Sequence, residues 1–139
     1  MSMRDNALTK MKREALYSLY KKGLEEGRFS SVSEAGEWIS HQPAPCYYVS
    51  PEKAYKCIGW IKARRSLANL NASQRRLARQ LYENYKDYLI ANPHSKRSCI
   101  DIMDELLQQP APEFYMTPDS IRVTLVKTIA QVRKKHGLK

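Results

Sequence analysis

The chain has 139 residues, 42% of them hydrophobic and 27% charged, which is too apolar for a disordered polymer and ordinary for a folded one. It carries 24 Lys and Arg against 14 Asp and Glu, giving a net charge of +10 and a pI near 9.6. No stretch approaches the ~18 consecutive apolar residues of a membrane span, and the opening MSMRDNALTKMKREAL has no signal-peptide core, so the expectation is a cytoplasmic protein with no membrane partner.

The first predicted helix runs from Asp5 or Asn6 to Glu26, with Leu8, Met11, Ala15, Leu16, Leu19 and Tyr20 as its apolar stripe, and Gly27 ends it. Ser31 and Glu34 form a capping-box pattern that opens a second, short helix carrying Val32, Ala35, Trp38 and Ile39. Pro43 and Pro45 then force an extended strap, from which Tyr48 is the aromatic expected to return to the core. Ser50 and Pro51 read as N-cap and first residue of a third helix, with Ala54, Ile58 and Ile61 on its buried side.

This plan is then written again. QPAPCYYVSP at Gln42–Pro51 returns as QPAPEFYMTP at Gln109–Pro118, an offset of 67 residues, with six of ten positions identical and three conservative. A duplication of this kind has to be settled before any other reading of the fold. The joint from Ser66 to Ser73, with Leu67 and Leu70, reads as packed rather than as a free tether. A fourth helix capped by Asn71 or Ser73 should bury Leu77, Leu81, Tyr85, Tyr88 and Leu89. A fifth follows Ser98, with Cys99, Ile102, Met103, Leu106 and Leu107 inward, and Tyr115 repeats the part of Tyr48. The sixth runs from Pro118 toward His136 on Ile121, Leu125, Ile129 and Val132. The expected fold class is all-α, as two tandem trihelical, helix-turn-helix-like repeats over residues 1–68 and 69–139. Each half carries 12 basic and seven acidic side chains, so the positive charge belongs to the repeat and not to a tail.

The QPAP-x-aromatic-Tyr-x-Ser/Thr pattern resembles that of small bacterial helical proteins with a PAPRFYVS-type motif, often written twice, a resemblance that covers both repeats and implies no assigned activity. Where that pattern has Arg after PAP, this chain has Cys46 and Glu113. The plan of three helices is also similar to tandem helix-turn-helix and Myb-like DNA binders, although the connector of about nine residues exceeds the three or four of a standard helix-turn-helix.

On that template the third helix of each repeat faces a DNA groove and its walls. The implied binding residues are Lys53, Lys56, Trp60 and Arg64 in the first repeat, and Ser120, Arg122, Thr124, Lys127, Arg133 and Lys134 in the second. Several have a plainer explanation: Trp60 closes the core edge, the lysines are solvated, and Arg133 and Lys134 complement the negative end of a helix. The basic field favours a polyanion, with nucleic acid first, DNA or else RNA, and an acidic membrane surface second; the apolar stripes are narrow enough to be consumed by the core, which argues against the membrane. An alternative is a protein-interaction adaptor that presents the duplicated connectors to an acidic partner.

Enzyme chemistry finds no footing. The five glycines form no phosphate loop, and His41, His94 and His136 stand apart. Cys46, Cys57 and Cys99 make an odd set without a CxxC pair, and neither they nor the histidines have zinc spacing. The acids Asp101, Asp104 and Glu105 sit early in a helix, where they favour its dipole. No cofactor or metal is expected.

Overall fold

The computed structural model describes residues 3–64 and 66–137 of the chain. Those residues form six helices: α1 Met3–Glu25, α2 Val32–Ser40, α3 Pro51–Lys62, α4 Ala72–Ala91, α5 Cys99–Leu106 and α6 Pro118–Lys135. The all-α expectation holds. Helix starts fall where the capping residues put them: the side chains of Ser31, Ser50, Asn71, Ser98 and Thr117 each accept from a backbone N–H three residues on. Among the described residues, the one complete capping box is Asn71 with Gln74. Glu34 reaches back instead to the N–H of Ser30, at 3.0 Å.

Packing does not follow the repeat boundary. Two compact units form, one from residues 1–44 and 111–139, the other from residues 45–110. The first unit therefore holds α1, α2 and α6, and the second holds α3, α4 and α5. Each is trihelical, yet each takes its third helix from the other repeat. Residue 68 is not a packing boundary: the joint lies inside the second unit, where Leu67 and Leu70 are half-buried and Arg75 donates to the Leu70 carbonyl at 2.8 Å. The cause is the strap. A proline-bracketed segment is extended and stiff and cannot continue a helix. The short joint after α3 leaves that helix beside α4.

The strap residues are fixed by hydrogen bonds within each unit. In the first unit Ala44 and Ala111, the central residues of the two PAP triplets, pair antiparallel: each N–H donates to the other's carbonyl at 2.9 Å. Both are 2% exposed. In the second unit the Tyr47 N–H donates to the Leu107 carbonyl at 2.9 Å, and its hydroxyl accepts from Asn84 Nδ2 at 3.0 Å.

This corrects the expected core aromatic. Tyr47 and Phe114, at 5% and 4% exposure, enter the cores, while Tyr48 and Tyr115 stay half-buried. A side chain next along an extended segment points to the opposite side, so the bond that turns Tyr47 inward turns Tyr48 away. Desolvation, reinforced by the neighbouring Cys46 thiol, still pushes the Tyr48 hydroxyl up to about 12. Tyr115 adopts a left-handed backbone, φ 55°, unusual for a residue with a bulky side chain.

In the first unit Leu16, Ala35, Ile39, Ile121 and Leu125 are fully buried, and in the second Ala54, Ala78, Leu81 and Met103. The stripes are narrower than the sequence suggests, since Met11 and Leu89 are exposed and Ile61, Ile129 and Val132 half-buried. Above the α1–α2 turn, Phe29 stacks on Tyr20 with centroids 5.7 Å apart and tilts against Trp38 at 5.8 Å.

Gly36 lets α2 meet the start of α6: a Cβ there would lie 2.5 Å from the Pro118 carbonyl oxygen, a backbone atom that cannot swing aside. Gly36→Ala should therefore destabilise by about 1–3 kcal/mol. Gly59, with nothing within 4 Å of an added Cβ, is the control. Gly59→Ala should stabilise by about 0.5–1 kcal/mol, because only the helix penalty of glycine is removed. Urea unfolding of both variants checks the opposite signs.

Candidate nucleic-acid interface

The predicted binding residues lie on α3 and α6, the third helices of the two repeats, or just beyond. Both helices start alike. Ser50 accepts from the Lys53 N–H at 3.2 Å and Thr117 from the Ser120 N–H at 3.1 Å, each followed by proline at the first helical turn. These caps fix where the exposed arcs begin.

Successive helical residues are about 100° apart, so the arcs can be read directly. On α3, Pro51, Ala54, Cys57 and Ile58 face the core. Lys53, Lys56 and Trp60 gather on one outward strip, with both lysines exposed and Trp60 half-buried. Lys53 is close enough to Cys57 to favour its thiolate, although burial wins and pushes that thiol up. Lys62 leaves the strip, because its Nζ sits 4.9 Å from the centre of the Tyr85 ring. Arg64 lies beyond the helix at φ 55°, exposed.

On α6 the predicted residues divide. Ser120, Thr124 and Lys127 share one edge, Arg122 and Arg133 lie toward the opposite one, and Lys134 points outward between them. Several are already engaged. Thr124 Oγ1 donates to the Ser120 carbonyl at 2.9 Å, Ser120 Oγ accepts from Thr117 Oγ1 at 3.0 Å, and Arg122 Nε pairs with Asp119 Oδ1 at 3.3 Å. Among the described residues, Lys56, Lys127, Arg133 and Lys134 form no ion pair with any carboxylate.

Where the charge resides was missed by counting in halves. Residues 53–79 carry eight Lys and Arg and no acid, and residues 120–139 carry six and none. The rest of the chain is net acidic, with ten basic against 14 acidic side chains. In sequence, the whole positive excess therefore falls in the segment that holds α3, its joint and the first turns of α4, and in the segment from Ser120 onward that holds most of α6. Arg75, Arg76 and Arg79 on the first turns of α4 belong to this field and escape a template that looks only at third helices. The signal that finds them is the run of sequence without Asp or Glu.

Other chemistry has no comparable footing. Among the described residues, no three His, Cys, Asp or Glu side chains gather closely enough to hold a metal ion. No helix is long and apolar enough to cross a membrane. No family model, curated protein or solved structure matches the chain.

The caps that place both arcs are testable. Ser50→Ala and Thr117→Ala should each lower stability by about 1 kcal/mol, by leaving an orphan amide at a helix start. Thermal melts followed by circular dichroism would show it, and Ser50→Asp should restore the cap.

Proposed function

We propose that the protein binds double-stranded DNA as an accessory or regulatory factor, through α3 and α6 as the third helices of two helix-turn-helix-like units. The observation that carries this is the segregation of charge: the excess cations fall in the two sequence segments that hold α3 and α6, helices that are capped and carry one acid each, Glu52 and Asp119, in their first turns. A polyanion with evenly spaced charges is the partner such a field favours, and phosphate contacts supply most of the affinity. Two modules on one chain act at high effective concentration, so weak binding by each suffices.

The adaptor alternative draws less support from the geometry. The connectors it would present have Ala44 and Ala111 bonded to each other and Tyr47 and Phe114 buried. In the duplicated motif Pro43, Pro45, Gln109, Pro110, Pro112, Thr117 and Pro118 are exposed, while Tyr48 and Tyr115 are half-buried.

Fluorescence anisotropy of a labelled mixed-sequence duplex, titrated at several salt concentrations, tests the reading. With about eight phosphates neutralised, log K should fall against log salt with a slope near −7. Lys53→Glu/Lys56→Glu and Lys127→Glu/Lys134→Glu should each weaken binding at least about tenfold and flatten the slope by about 2. Lys10→Glu/Lys22→Glu on α1 changes net charge equally and should do much less. A flat salt response, or equal losses from all three pairs, would refute the assignment to α3 and α6.

A further inference from the structure

The outward face of α6 is not basic along its middle. Val123 is 40% and Val126 49% exposed, and Ala130 is exposed beside them. Spaced three and four apart, they form one strip about 10 Å long at 1.5 Å per residue. That length matches about three base steps at 3.4 Å. Lys127 and Lys134 border the strip and Arg133 lies toward its other margin. The repeat does not demand it, because the positions aligned with Val123 and Val126 in α3 are Lys56 and Gly59.

Polar base-reading groups are scarce on the same face. Arg122 is held by Asp119, the Thr124 hydroxyl proton goes to a helix carbonyl, and the Gln131 amide oxygen faces Arg13 Nη1 at 3.5 Å. Asparagine is absent from α6. What remains is an apolar ridge flanked by cations. In the major groove the apolar group at a base edge is the thymine C5-methyl, the one feature such a ridge can read.

We infer that α6 recognises thymine methyl groups in the major groove of DNA, with Val123, Val126 and Ala130 against the methyls and Lys127 and Lys134 on the adjoining phosphates. This rests on the reading of α6 as a DNA-facing helix and adds the base it prefers. It also selects DNA over RNA, since uracil lacks the methyl and the major groove of an RNA duplex is too deep and narrow for a helix. The α3 strip, with Lys56 and Gly59 where α6 has Val123 and Val126, supplies affinity without this preference.

The test compares the full-length protein on an A·T-rich duplex and on the same duplex with every thymine replaced by uracil, so that phosphates and hydrogen-bonding edges are unchanged. Burial of one methyl is worth about fourfold in affinity, so loss of two should weaken binding on the order of tenfold. Val123→Ala/Val126→Ala, both at exposed positions, should lower affinity for the thymine duplex toward that for the uracil duplex and leave the salt slope unchanged. Equal, salt-dependent binding to both duplexes would overturn thymine reading and leave the DNA-binding proposal standing. A thymine preference that survives in the double variant would overturn its assignment to α6. Binding to neither duplex would overturn the DNA reading itself, and this inference with it.

Discussion

The antiparallel pair of Ala44 and Ala111 governs how the chain is divided. Proline has no N–H, so the alanine amide is the only donor in each Pro-Ala-Pro triplet, and in both triplets it is buried. A buried amide left alone costs more than a made bond returns, which makes the pairing an obligation rather than an ornament. Its geometry is reciprocal, with each alanine giving and taking one bond at 2.9 Å. Once the triplets are joined this way, the chain leaves the first unit after Ala44 and re-enters it at Ala111. The third helix beyond each strap then packs on the two helices of the other repeat. Alanine suits the site because both side chains are nearly inaccessible, and a longer one would have to displace core.

Charge is arranged on the same scheme. Acids accumulate on α1, α2 and α5, where Glu34 and Asp101 sit in first turns and favour the positive helix end. The exchanged helices α3 and α6 and the start of α4 are left almost without acids, so their cations have few internal partners. A protein that used its lysines only for solubility would gain from interspersing them with acids; segregating them raises self-repulsion, which a polyanion would relieve. The two exchanged helices are nevertheless unlike. One presents lysine and tryptophan and the other a valine ridge, so the duplicated frame holds two distinct surfaces.

Much of this was legible in the sequence because it is local. Ser, Asn or Thr followed by an apolar periodic run marks five helix starts, and the structure places each cap there. The duplicated decapeptide marks both connectors. Two things were not local. The choice between Tyr47 and Tyr48 turns on the Leu107 carbonyl and the Asn84 amide, both distant in sequence. The exchange of third helices likewise depends on which helices a stiff strap can reach, whereas a repeat in sequence invites the assumption that each copy closes on itself. At the candidate interface, Lys53, Lys56 and Trp60 share a strip, as helical spacing predicts. By contrast, Arg122 and Thr124 fall on opposite edges and are engaged locally, because a list of basic and polar types ignores where the helix turns them and what they bond first.

The exchange also sets the order in which the chain can fold. The second unit is contiguous, residues 45–110, so its contacts are close in sequence and its loops are cheap to close. The first unit joins residues 1–44 to residues 111–139 across that whole segment. Its closure is slow in an open chain and faster once the segment has collapsed, because a folded insert shortens the gap its ends must bridge. During synthesis α1 and α2 must wait, with Ile39 and Leu16 uncovered, until α6 follows the completed second unit. The valine-bearing helix is therefore the one that finishes the fold.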